Sequence, residues 1–132
     1  MSRLLFAFVL LAECRESPSE IHDPVWKEES LKMAGEICAK IRECGFQTGS
    51  FQGLDTNESS LLEQRLTEAS CKAYHKKTNA YLLRGEDPEW IKKNSRDCHR
   101  AMLSLSCDEL VSKKFLEFSS CTELSRIQKN KQ

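Results

Sequence analysis

The side chains with the most chemistry to offer are seven cysteines in 132 residues: Cys14, Cys38, Cys44, Cys71, Cys98, Cys107 and Cys121. A cysteine can ligate a metal, run thiol exchange or close a disulfide, and spacing decides among these uses. Zinc and redox sites favour closely paired cysteines such as C-x-x-C. No two cysteines here lie that close. Cys71 and His75 are four apart on one helical face, and His99 adjoins Cys98. Beside disulfide cysteines these histidines are expected at the surface, and no metal or cofactor is expected. Catalysis lacks a constellation as well. There is no G-x-S-x-G elbow, no H-E-x-x-H and no phosphate loop, and His22, His75 and His99 are scattered through polar stretches. The carboxylates interleave with Lys and Arg at 28–32 and 92–97, the pattern of a solvated helix face with i,i+4 pairs. A non-enzymatic protein is the expectation, with disulfides as the work of its cysteines.

The start of the chain says where those disulfides could form. After Met1-Ser2-Arg3, residues 4–12 (LLFAFVLLA) are an unbroken apolar run of nine. Nine helical residues span about 14 Å, half of a hydrocarbon core, so the run fits the h-region of a secretory signal and not a membrane span. It ends in Leu11-Ala12-Glu13-Cys14. This resembles the lipobox of bacterial lipoproteins, with Leu11 and Ala12 in the third and second places before the cysteine. Glu13 stands where Gly, Ala or Ser is usual, as in the relaxed boxes of spirochaete lipoproteins. The resemblance covers these fourteen residues. It implies a signal peptide over 1–13, a diacylglycerol thioether on Cys14 and a membrane anchor in the cell envelope, at the outer membrane or surface. Lipidation of Cys14 also leaves six cysteines, the even number that a three-disulfide framework needs.

Composition bounds the rest. The chain has 20 basic and 20 acidic residues, 39% hydrophobic and 30% charged. One domain fits this length, general disorder does not fit this apolar content, and zero net charge excludes a nucleic-acid binder held by bulk electrostatics. Five glycines and three prolines are too few for the turns of an all-β sandwich. Residues 14–22 are polar, contain Pro18 and read as a tether, with the domain over 23–132.

Within the domain the apolar spacing predicts four helices, an all-α, disulfide-stapled four-helix bundle. Asp23 caps the first and Pro24 opens it; Leu31, Ala34, Ile37, Ile41 and Cys44 follow, and Gly45 can close it. Residues 46–57 read as a loop. Ser60 with Glu63 offers a capping box for a second helix reaching Leu83. Asp87-Pro88-Glu89-Trp90 repeats Asp23-Pro24-Val25-Trp26 and opens the third. Ser106 with Glu109 boxes the fourth, which carries Leu110, Val111, Phe115, Phe118, Cys121 and Leu124, and the tail from 126 should fray.

Six cysteines allow 15 pairings. An up-down-up-down bundle favours Cys44–Cys107, Cys38–Cys71 and Cys98–Cys121, with Cys71–Cys98 as the rival. Trp26 and Trp90, in first turns, fit core or staple packing. Phe46 and Phe51 fall in the 46–57 loop and are the candidate partner-binding residues. The expectation is an envelope lipoprotein with a structural or binding role and a protein partner; no small-molecule substrate is inferred. The alternatives are a soluble secreted ligand or effector with Cys14 free or paired, an exported enzyme, and an intracellular protein with free thiols.

Overall fold

A computed structural model describes residues 21–49, 53 and 55–130. The signal at 1–13, Cys14, nearly all of the tether and Phe51 lie outside the described residues. Within them the chain forms seven α-helices, one 3-10 turn and no strand. The fold is all-α and disulfide-stapled.

Helices α1 (Pro24–Gln47) and α5 (Pro88–Ser104) are continuous, and both open as the repeated motif dictates. The Asp23 carboxylate accepts the Trp26 N–H at 2.9 Å and the Asp87 carboxylate accepts the Trp90 N–H at 3.0 Å, with proline in the first turn of each. Gly45 does not close α1. It is buried inside the helix, which continues to Gln47, and the turn falls at Gly49 (φ 69°).

The second and fourth expected helices are each broken. The second is α2 (Thr56–Arg65), α3 (Glu68–His75) and α4 (Asn79–Leu82). Its capping box is Asp55 with Glu58, not Ser60 with Glu63. Thr67 and Thr78 then interrupt it. Each hydroxyl accepts the N–H three residues on, from Ser70 at 3.2 Å and from Tyr81 at 3.3 Å, so each starts a new helix where the apolar spacing alone would have continued the old one. The fourth comprises α6 (Cys107–Val111), opened by the expected Ser106–Glu109 box, a 3-10 turn (Lys114–Glu117) and α7 (Ser119–Lys129). Lys113 sits in the left-handed region (φ 61°) and breaks the helix there. That break turns Val111 and Phe118 outward (44% and 38% exposed), off the face that continuous helix would have given them. The tail does not fray at 126 either: Ile127 is fully buried in α7.

Side-chain pairings fix the direction of each segment. Trp26, Ser30 and Cys38 of α1 meet Ala80, His75 and Cys71, so rising numbers on one side meet falling numbers on the other and the segments are antiparallel. Asp23, Glu29, Glu36 and Lys40 meet Lys92, Arg96, His99 and Met102 in rising order, so α5 runs parallel to α1. Cys98 and Trp90 of α5 meet Cys121 and Glu123, and α7 runs back down. The path is up, down, up, down, with two of the four rods in pieces.

Two devices hold it. At one end Trp26, Ala80, Leu83, Ile91 and Ile127 form a buried apolar cluster, against which Met33 and Leu124 pack. The Trp26 indole N–H donates to the Ala80 carbonyl at 3.0 Å, so burial leaves no orphan donor. Toward the other end three disulfides take over: Cys38–Cys71 joins α1 to α3, Cys98–Cys121 joins α5 to α7, and Cys44–Cys107 ties the end of α1 to the start of α6. This is the connectivity that the up-down-up-down geometry favoured, and it leaves the rival Cys71–Cys98 unformed. Lys40 caps the C-terminus of α5 by donating to the carbonyls of Met102 (2.9 Å), Leu103 (2.6 Å) and Leu105.

The charges at 28–32 and 92–97 do more than solvate a face. Arg96 grips Glu29 across the α1–α5 seam with two parallel bonds (2.6 and 2.7 Å) and lies over the Trp26 ring, while Lys92 bridges Asp23 at 2.7 Å. At the α5–α7 seam Glu123 accepts from Arg126 and from the Trp90 indole N–H at 3.0 Å.

Two outcomes are expected. In chain-entropy terms the stabilisation grows with the enclosed loop, and the separations are 63, 33 and 23 residues. Replacing both cysteines of Cys44–Cys107 by alanine should therefore lower unfolding free energy by about 4 kcal/mol, and the other pairs by about 3.5 kcal/mol, in chemical denaturation. Second, the bonds from Arg126 and then Trp90 draw the Glu123 carboxyl down to about 2 from an ordinary 4.5. Because the folded value is depressed, this contribution to stability is present above pH 4.5 and is lost as pH falls through about 2. The Trp90 indole N–H resonance should titrate with a midpoint near 2.

Candidate functional site

Between the apolar cluster and the disulfides the helices do not close fully. A cavity of about 400 Å³ lies there, walled by α1 (Ser30, Met33, Ala34, Ile37), α5 (Ser95, His99, Met102) and Leu124 of α7. Cys38, Cys71 and Cys98 also reach its wall, so two disulfides border it. Arg65 and Tyr74, both exposed, stand at its edge and mark where it opens to solvent. Its size falls within the roughly 300–1,000 Å³ of small-molecule sites, and like them it is mainly apolar with a few polar groups.

Those polar groups are unusual in position. Ser30 is on the inward stripe of α1, four residues after Trp26 and 1% exposed, and its hydroxyl shares a 2.5 Å hydrogen bond with His75 Nε2. His75 stands edge-on to Tyr81, 5.9 Å between ring centres. Burial pushes the His75 imidazole below its ordinary value of 6.5 and keeps it neutral. Ser95 is on the inward stripe of α5, between Ile91 and Cys98; it is buried, and its hydroxyl oxygen has no hydrogen-bond partner. An unpaired buried hydroxyl costs about 1–3 kcal/mol. His99 also lines the wall and is bonded to Glu36 at 2.7 Å.

Ser30 and His75 have the bonding of a nucleophile and its base, yet the surroundings do not complete an acyl-transfer site. Ser30 sits inside α1, where neighbouring N–H groups serve the helix and cannot form an oxyanion hole. Among the described residues no carboxylate bonds to the second nitrogen of His75. What the arrangement can do is present neutral hydrogen-bonding groups to a molecule lying in an apolar chamber.

The residues singled out by sequence fall elsewhere. Phe46 is not in a loop; it is in the last turn of α1, 49% exposed, beside a second pocket shared with Leu66 and Glu68. Phe51, the other candidate partner-binding residue, is outside the described residues. Trp26 is core, while Trp90 is 45% exposed and bonded to Glu123, so the two D-P-x-W copies have different uses. His75 is not a surface histidine; it is drawn inward to Ser30. Cys14 lies outside the described residues. The missed residues had one signal: Ser30 and Ser95 interrupt apolar stripes at positions that face inward.

Among the described residues no three His, Cys, Asp or Glu side chains are grouped to hold a metal, and no helix is long and apolar enough to cross a membrane. The chain matches no family model, no curated protein and no solved structure.

His75 gives a direct check of the cavity's interior. Its imidazole NMR resonances should titrate below 6.5. Since the folded value is depressed, its contribution to stability is complete above pH 6.5 and is lost as pH falls through the folded value. A midpoint at or above 6.5 would contradict this burial.

Proposed function

We propose that this chain is an exported bacterial envelope lipoprotein, anchored by a lipid on Cys14, whose helical domain works by binding and not by catalysis. The observation that carries this reading is the arithmetic of its cysteines. The six in the domain pair among themselves, which leaves Cys14, at the end of an apolar run, as the odd one. Three disulfides accord with an oxidising compartment outside the cytoplasm. A lipid on Cys14 and residues 14–22 as tether would hold the domain at the outer membrane or cell surface, facing protein partners. The non-catalytic reading rests on the incomplete surroundings of Ser30 and His75. A soluble secreted ligand or effector is the second reading; Glu13, in place of the small residue usual before a lipidated cysteine, is the feature in its favour.

Intact mass of the protein from its native membranes, before and after reduction with alkylation, tests this. The expected species begins at Cys14, is heavier by its acyl groups and gains six alkyl labels only after reduction. An unlipidated chain cleaved elsewhere would move the protein to the secreted reading. Labelling of any of the six domain cysteines without reductant would overturn both, since those are the residues paired as disulfides.

A further inference from the structure

The cavity is built to stay open. Large apolar voids in small domains normally collapse as neighbouring side chains relax inward, because an unfilled space forfeits contacts on every side. Here Cys38–Cys71 and Cys98–Cys121 fix the two helix pairs that wall it, and the Trp26 cluster closes its far end. Its lining is chiefly Met33, Ala34, Ile37, Met102 and Leu124, among which the unbranched methionines adapt to varied shapes. The polar groups deepest among them are the Ser30–His75 pair and the Ser95 hydroxyl, which is buried without a partner; the Gln128 amide also reaches the wall, and the charged Arg65 stands at its edge. A carboxylate or ammonium carried inside would find no opposite charge beside these groups, and unpaired burial of a charge is far costlier than burial of a hydroxyl. His99 is already engaged with Glu36, and Arg65 stands at the exposed edge with no ion pair among the described residues.

We propose that this cavity is a binding site for a small, uncharged, largely apolar molecule carrying one hydrogen-bonding group, with the class of medium-chain alcohols as its simplest representative. The apolar body lies against Met33, Met102 and Leu124, and the polar group turns to Ser95 and the Ser30–His75 pair. The proposal deepens the binding reading above but does not depend on the lipid: a chain without acyl groups on Cys14 would keep the cavity, and a lipoprotein with an empty cavity would keep its anchor and its protein partners.

The sequence supplies its own reporter. The chain has three methionines, Met1, Met33 and Met102, and the last two line the cavity. With carbon-13 methyl-labelled methionine in the disulfide-bonded full chain, octan-1-ol should shift the Met33 and Met102 methyl resonances together and saturably at one equivalent. Octanoate and octyltrimethylammonium should bind at least tenfold more weakly. Ala34→Phe, which fills the cavity, should abolish the shifts while the Trp26 indole N–H resonance stays at its folded position; should that variant not fold, Ile37→Phe is the substitute. Ser95→Ala should leave stability unchanged or raised, since it removes an unpaired hydroxyl, yet weaken octan-1-ol several-fold, a change that a purely structural role would not produce. Methyl shifts that no ligand produces, or that survive filling of the cavity, would overturn the proposal. So would tighter binding of octanoate that Arg65→Gln removes, because the site would then belong to anionic amphiphiles.

Discussion

Too little apolar side chain is available to this domain to hold four segments together by burial alone, and the rest of the structure follows from that shortage. The contiguous buried cluster is five residues, centred on an indole that is 1% exposed and hydrogen-bonded. It locks one end of the bundle. Beyond it the seams between helices are held by cystine, one across α1–α3, one across α5–α7 and one at the far end of α1. Small disulfide-rich domains commonly meet a limited core this way, because a cross-link restricts the unfolded chain whether or not the folded seam is densely packed.

That division of labour also explains why a cavity can persist beside the core. A seam maintained by covalent bonds has no need of close packing, so space remains between the cluster and the cystines, and polar groups can be tolerated on its wall. Ser30, His75 and Ser95 occupy inward positions that a burial-driven core would give to Leu or Val. Outside, paired charges tune the seams: Glu29 with Arg96 on one side and Glu123 with Arg126 and Trp90 on the other. These partly exposed pairs contribute orientation more than stability.

Local chemistry was readable from the chain. The two D-P-x-W openings, the Ser106–Glu109 box, the all-α class and the disulfide framework all follow from short-range rules of capping, periodicity and cysteine count. The broken helices share one cause. Where apolar spacing ran on through Thr67, Thr78 or Lys113, the sequence read as continuous helix, but a threonine hydroxyl can cap a new helix as readily as it can sit inside one, and spacing does not distinguish the two. Gly45 is the converse case: a glycine can end a helix, but here it is buried within one. Phe46 moved from loop to helix with it.

Capping residues, period and the number of cysteines determined the helical class, the openings of α1, α5 and α6 and the fact of cross-linking, because each depends on residues within a turn or on a count. Which face of each helix would be filled, and which left open, was decided only when the four segments came together. His75 reads in sequence as one polar residue among others; it is drawn inward because α3 runs antiparallel to α1 and brings it to Ser30. Ser95 reads as a helix-surface serine; it is buried because α5 and α7 are tied at Cys98–Cys121 three residues further on. A cavity is a property of the space between elements, and that space exists only in the assembled fold.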